Sequence, residues 1–239
     1  MKRRALRERL SAIASFVKPG ARLCDVGSDH ARLPIWLFNE GIIGSAVITD
    51  IRPSPLFRAR AGIERAGYMA RSQFFCCDGL RDLPRGDFDT AVMAGMGGET
   101  IAGILERAPW LKEGYSLILQ PNSGAYELRK FLCENGYKIT GGRIAFEKGR
   151  YYCIITAEGG DMPPYSECEL HAGREYVLAN DPLFGEYADH MIGALKSAAE
   201  GMTRSGQEEN GRVEALLALI EEIEKMKTGV CYGTDRADI

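Results

Sequence analysis

The chain alternates between two hydrophobic periods. Leu6, Leu10, Ile13, Ala14 and Val17 fall three or four residues apart, which predicts an amphipathic first helix reaching Val17 and stopped by Pro19 and Gly20. The apolar run 23–26 is too short for a helix and ends in Gly27, so it reads as a buried strand entering a tight turn. A helix follows, with Pro34 in its first turn and Leu33, Leu37 and Phe38 on one face, and then a second strand over 44–50. Pro53 and Pro55 open the next helix, which carries Leu56, Ala59 and Ile63 and closes near Gly67. Further strands are expected at 71–77, 88–94 and 115–120, with helices through Ile101, Ile104 and Leu105 and through Leu128, Phe131 and Leu132. Strands at 139–146 and 151–157 flank a Glu-Lys-Gly-Arg turn and form a hairpin. Five strands alternating with helices, then a hairpin, predict an α/β, Rossmann-like sheet with one antiparallel strand inserted near an edge.

Gly159, Gly160, Pro163 and Pro164 read as a linker, dividing the chain into a Rossmann-like domain, 1–160, and a helical domain, 161–239. In the second, Tyr187, Met191, Ala194, Ala198 and Met202 share one helical spacing, and Val213, Leu216, Ile220 and Ile223 another. A polar bend over 205–211 separates them, which suggests an antiparallel coiled-coil hairpin; a helical cap packed on the sheet is the alternative. The end of the chain, from Gly229 on, is expected to fray.

Composition narrows the class. The 239 residues, 45% hydrophobic and 26% charged, suit one α/β domain with an appendage. No apolar run approaches the roughly 20 residues needed to cross a bilayer, and Arg9, Ser11 and Lys18 interrupt the first apolar positions, so a cytoplasmic protein without membrane partner is expected. Seven scattered cysteines without a C-x-x-C pair suggest reduced thiols and no metal site. The net charge of −3 argues against a nucleic-acid partner until it is divided: residues 161–239 hold 7 basic and 16 acidic residues, and residues 1–160 hold 23 and 17. Lys2, Arg3, Arg4, Arg7 and Arg9 cluster on the first helix, either to contact phosphates or as a solvated face.

The first turn carries the chemistry. A dinucleotide pyrophosphate needs G-x-G-x-x-G, whereas here Gly27 is followed by Ser28, Asp29 and His30, and Asp29 would repel it. Asp25, Gly27 and Asp29 instead resemble the D-x-G-x-[GD] motif of methyltransferases that use S-adenosylmethionine, whose sulfonium and ammonium groups favour carboxylates. Asp50, ending the second strand, stands where a nucleotide ribose presents its hydroxyls. Asp78 and Gly79 end the third strand, either over an adenine or as an ordinary turn. Gly95, Gly97 and Gly98 suggest a backbone that approaches something closely, and the Asn/Asp-Pro-Pro-Tyr of amine methylation is missing there.

Residues 25–34 (DVGSDHARLP), the turn 77–80 (CDGL), the glycine stretch 94–98 (AGMGG), 119–121 (LQP) and 147–151 (EKGRY), taken in order, resemble the bacterial tRNA (adenine-N1)-methyltransferases that modify position 22 of tRNA. The resemblance spans about residues 5–160 and implies a class I methyltransferase sheet, a coiled-coil tail, S-adenosylmethionine as cofactor and tRNA as partner; a monomer is expected. It implies that Asp25, Gly27, Ser28, Asp29 and His30 surround the methionine end of the cofactor, that Asp50 and Ile51 take the ribose, and that Asp78 and Gly79 take the adenine. Ala94, Gly95 and Met96 would line the gap to the target base, with Asp29, the Gly95 carbonyl and His30 as catalytic candidates; Arg4, Arg7, Arg9, Arg32 and Asn122 are the expected tRNA contacts. Arg32 replaces an aromatic residue expected at the pocket edge, and Arg52, Pro53, Ser54 and Pro55 replace a more usual Gly-Pro. Rival readings are a methyltransferase for a small molecule or protein, a non-catalytic RNA-binding scaffold and, third, a nicotinamide dehydrogenase.

Overall fold

A computed structural model describes residues 5–81, 83–204 and 211–228, which form two compact units, Met1–Pro163 and Pro164–Ile239. Lys2, Arg3 and Arg4 of the basic cluster, the polar stretch over 205–210 and the end from Gly229 on lie outside the described residues.

The first unit is a seven-stranded sheet. Its strands are β1 (Ala21–Val26), β2 (Ile43–Asp50), β3 (Ser72–Cys76), β4 (Thr90–Met96), β5 (Ser116–Pro121), β6 (Tyr137–Glu147) and β7 (Arg150–Gly159), in the order β3-β2-β1-β4-β5-β7-β6. The first five are parallel, and β7 enters antiparallel between β5 and β6, as the hairpin pattern predicts. Helices α1 (Glu8–Ala14), α2 (Arg32–Asn39) and α3 (Pro53–Ala66) cover one face; α4 (Gly98–Arg107) and α5 (Ala125–Glu134) cover the other.

Both faces are buried, so each central strand divides its apolar residues between two cores. In β4, Ala91 and Met93 join one core with Leu105 and Leu128, while Val92 joins the other with Ile13, Leu37 and Ile63. In β5, Leu117 and Leu119 face the first and Ile118 the second. This period-two division explains why these strands appear in sequence as continuous apolar runs. Each fully buried aliphatic side chain contributes about 1.5–3 kcal/mol over its exposed state.

Several element ends differ from the pattern for local reasons. Helix α1 stops at Ala14, three residues early, because Phe16 and Val17 donate to Ile13 and Ala14 carbonyls and the last turn tightens. Strand β3 starts at Ser72 because Met69–Arg71 forms a 3-10 turn, with the Arg71 guanidinium over the Phe38 and Tyr68 rings. Strand β4 begins at Thr90, since Phe88 packs against Trp110 and Tyr115, and it runs past Ala94 to Met96 through a bulge.

Among its described residues the second unit contains helices and no strand: α6 (Glu167–Ala172), α7 (Arg174–Leu178), α8 (Phe184–Arg204) and α9 (Arg212–Lys227). Ser166 caps α6 in a capping box with Glu169. Lys227, ending α9, meets Asp189, near the start of α8, at 2.5 Å, so the two helices form an antiparallel hairpin. The α9 seam includes Ile220 and Ile223 as expected. The buried stripe of α8 is instead Phe184, Ala188, Ile192 and Ala199, one position beyond the expected Tyr187, Met191 and Ala198. Tyr187 flanks that stripe, its ring against Tyr176.

Candidate functional site

A cleft of about 440 Å³ opens at the carboxyl ends of β1 and β4. Its floor is the turn after β1, where the Gly27 and Ser28 amides donate to the Thr49 carbonyl at 2.8 and 3.0 Å. Gly27 has φ +73°, and a Cβ there would sit 2.9 Å from Met96 Cε, so a larger residue would strain the turn and displace the Met96 methyl. Left-handed φ values at His30 (+71°) and Ala31 (+49°) then carry the chain into α2, and the absence of a side chain at Gly62 lets α3 approach the His30 carbonyl.

Asp25 is buried beside this turn. Burial pushes its carboxyl from 3.8 up to about 6, against a hydrogen bond with Ser28 and the Arg9 charge, which lower it. Asp29 is the opposite case. Its hydrogen bond from Arg58, at 2.9 Å, holds it below the usual carboxylate range, with His30, 3.6 Å away, and Arg32 adding to the effect. One cleft therefore presents a carboxyl close to titration and another held as an anion.

The far wall comes from β4, β5 and the N-terminal segment. Gly95 is the extra residue of the bulge, since the register passes from Ala94 opposite Gln120 to Met96 opposite Pro121. Its amide donates to Gln120 Oε1 at 3.1 Å, and Arg9 Nη1 donates to the same oxygen. The Arg9 amide donates to Glu147 Oε2 at 3.2 Å, and Arg7 pairs with Glu147 at 3.7 Å.

The structure thus brings Arg7, Arg9, Asp25, Gly27, Ser28, Asp29, His30, Arg32, Ala94 and Gly95 to one cleft. Asp50, Ile51, Asp78 and Gly79 lie together at the neighbouring ends of β2 and β3. There Cys77 N donates to the Asp50 carbonyl and Thr49 Oγ1 to the Gly79 carbonyl. Asp50 Oδ1 accepts the Arg52 amide at 2.8 Å, Ile51 is 64% exposed, and Asp78 is paired with Arg107 at 3.3 Å. Met96 lies behind Gly27; Asn122 is exposed, its amide on the Met96 carbonyl and its side chain on Gln120. Sequence reasoning assigned no role to Gln120, Glu147 or Arg58. Gln120 and Glu147 fall inside the motifs 119–121 and 147–151, but Arg58 has no local signal, because it meets Asp29 only through the fold.

A parallel sheet with one antiparallel insertion, and a carboxylate-lined cleft at its strand ends, define a class I methyltransferase. A family model for a methyltransferase domain matches residues 6–155. The chain is 34% identical over 170 residues to the tRNA (adenine(22)-N(1))-methyltransferase of Bacillus subtilis, covering 70% of this chain and 71% of that protein. It also superimposes on a putative tRNA (m1A22) methyltransferase of Streptococcus pneumoniae, solved in complex with S-adenosyl-L-methionine, with a TM-score of 0.81. That match has 32% identity and covers 93% of this chain and 100% of the other. The crystal structure of the B. subtilis enzyme matches with a TM-score of 0.79 at 27% identity, over 94% of this chain and 98% of that one. The chain belongs to the tRNA (adenine(22)-N(1))-methyltransferase family.

Proposed function

We propose that this protein transfers the methyl group of S-adenosylmethionine to N1 of adenine 22 in tRNA, acting in the cytoplasm as a monomer. The observation that carries the reading is a buried carboxyl, Asp25, in the same cleft as the Gly27 turn and the Gly95 bulge, in a chain of this family.

The residues present fit the cofactor. Asp25 would face its ammonium, where a cation offsets the cost of ionising a buried acid. Asp50 retains acceptor capacity for ribose hydroxyls beyond the single Arg52 amide bond. Ile51 leaves an apolar side chain in water where an adenine ring would cover it, with Asp78 and Gly79 on the other side. Bound S-adenosylmethionine supplies an electrophilic sulfonium methyl.

Adenine N1 has a free lone pair and no proton, so the protein needs no strong general base, and positioning does the work. N1 is hidden inside a base pair, so the adenine must enter unpaired or flipped out. As positive charge develops on the base, the Asp29 carboxylate, kept ionised by Arg58, stabilises it, and the Gly95 carbonyl accepts from the exocyclic amine. His30 Nε2 lies 3.6 Å from the other Asp29 oxygen, Oδ2. Arg32 stands at the cleft for a tRNA phosphate, within the basic half of the chain, and the acidic helical unit contributes shape and a few local contacts.

The test is mass spectrometry of tRNA nucleosides after incubation of unmodified tRNA with the protein and S-adenosylmethionine, under conditions that prevent rearrangement. The expected product is 1-methyladenosine, lost when adenine 22 is replaced by guanine. Product containing only N6-methyladenosine, or label in free nucleosides and protein but not in tRNA, would overturn the reading.

A further inference from the structure

A bulge in a parallel strand breaks the ladder, and its orphaned groups need other partners. Here they find them in one buried side chain. Gln120, fully buried, accepts the Gly95 amide at 3.1 Å on Oε1 and also accepts Arg9 Nη1 there. Its Nε2 donates to the Pro121 carbonyl at 2.8 Å and to Asn122 Oδ1 at 3.2 Å. The reversed amide would set an NH2 group against two donors and an oxygen against two acceptors, so only one orientation is compatible with the surroundings. On the other side of Gly95, the Asn122 amide donates to the Met96 carbonyl at 2.8 Å. Gly95 therefore lies between two clamps, and Gln120 holds the first directly and the second through the Asn122 side chain.

We infer that Gln120 and Arg9 are positioning residues for methyl transfer, fixing the Gly95 peptide so that its carbonyl meets the exocyclic amine of the target adenine. The inference rests on the proposed reaction. Neither residue is placed against the cofactor or the reacting atoms; both act through Gly95, and the Arg9 charge also favours the ionised Asp25 carboxyl. With φ at +81°, Gly95 occupies a region open to glycine in which neighbouring conformations are accessible, so its carbonyl direction depends on what holds it. Arg9 contributes a charge-assisted bond to the Gln120 oxygen, while its own amide is anchored on Glu147. The basic N-terminal segment thereby becomes part of the active-site wall rather than only a phosphate-binding face.

The test uses the full chain with conservative and non-conservative variants at both positions. Gln120→Met keeps the shape and removes the acceptor, whereas Gln120→Glu keeps an acceptor for Gly95 and Arg9 but exchanges the Nε2 donor for an oxygen facing the Pro121 carbonyl and Asn122 Oδ1, so it preserves the first clamp alone. Arg9→Met removes the donor at a partly exposed position that threatens folding less, and Arg9→Lys restores it. Misplacing a reacting group by about 1 Å costs on the order of 100-fold. We expect both methionine variants to lose about that factor in kcat for tRNA, with KM for S-adenosylmethionine within about threefold of wild type, Arg9→Lys to recover at least about a tenth of wild-type kcat, and Gln120→Glu to fall between Gln120→Met and wild type. Unchanged kcat in folded Gln120→Met overturns the inference; so does Arg9→Met raising only KM for tRNA, the signature of a phosphate contact. Parallel loss of cofactor affinity and kcat in Gln120→Met overturns it as well, because the cleft itself would then depend on Gln120. Hydrogen exchange at the Gly95 amide provides a readout independent of activity: protection is expected in wild type and lost in Gln120→Met. Loss of protection with an inactive wild type would sink the proposed reaction and leave the clamp standing; retained protection in Gln120→Met would sink the clamp.

Discussion

Replacing Asp25 by asparagine should make the protein more stable and a poorer binder of S-adenosylmethionine. The carboxyl titrates at about 6 instead of 3.8, so at pH 7 its ionised form is disfavoured in the native state by about 3 kcal/mol. Below pH 3.8 both native and unfolded chains hold the proton. Between 3.8 and about 6 the native chain alone keeps it, so stability falls as pH rises and the loss is complete above about 6. Asparagine has no charge to bury, and at pH 7 the variant should gain up to about 3 kcal/mol, read as a melting temperature several degrees higher. The cofactor reverses the balance. If its ammonium lies against Asp25, the bound-state carboxyl returns towards its ordinary value, and wild-type affinity should fall about tenfold between pH 7 and pH 5. The ammonium stays protonated through that range. Calorimetry at pH 5, 6 and 7 and constant ionic strength should show this slope in wild type and none in Asp25→Asn, with the variant about 10- to 100-fold weaker at pH 7. A flat wild-type profile, or equal affinities at pH 7, would refute the assignment of Asp25 to the cofactor's cationic end.

Two further changes test the remainder of the site. Asp50→Ala should weaken S-adenosylmethionine by roughly 10- to 100-fold, since hydrogen bonds to a charged group are worth about 1.5–3 kcal/mol; unchanged calorimetric affinity in a folded variant would remove Asp50 from the ribose position. A chain ending at Pro163 should keep cofactor affinity while losing most tRNA methylation, and full turnover by that chain would show the helical unit to be dispensable. The end is placed at Pro163 because the Ile139 amide of β6 meets Met162 Sδ, so stopping at the expected boundary, residue 160, would remove that contact.

Much of the fold was legible because buried parallel strands and amphipathic helices have distinct periods, and glycine or proline marks most of their ends. The element ends that sequence misjudged depend on tertiary partners. Arg71 binds in a 3-10 turn over two rings, and Phe88 is drawn out of β4 by Trp110 and Tyr115. The α8 seam was displaced by one position because Tyr187 and Met191 have the same spacing as Ala188 and Ile192, and only the partner helix decides which pair is covered. In the site, the turn residues Asp25 to His30 are local in sequence and could be read. The connections of Asp29 to Arg58, across 29 residues, and of Arg9 to Gln120, across 111, exist only once the sheet is assembled.

The glycines of 95–98 show how one sequence signal can have separate causes. Three glycines in four residues suggested close approach, and the structure divides that signal between function and packing. Gly95 is the bulge in the cleft wall. Gly98, buried at the start of α4, donates its amide to the Ser123 carbonyl at 2.8 Å, and a Cβ on it would lie 1.9 Å from the Gly124 carbonyl oxygen. That obstacle is backbone, in the loop that leads into α5, and no side-chain rotation relieves it. Gly97 differs: its φ is −68°, and a Cβ would meet Thr100 Oγ1 and Ser123 Oγ at 3.7 and 3.8 Å, ordinary contact distances. Gly98→Ala should therefore destabilise the protein by about 3 kcal/mol or more, at the upper end of overpacking costs, while Gly97→Ala stays within about 1 kcal/mol. Chemical denaturation of both variants without cofactor reads this difference directly. Equal stabilities would mean that the loop before α5 yields readily, and that the third glycine is retained for the ligand rather than for the contact between α4 and that loop.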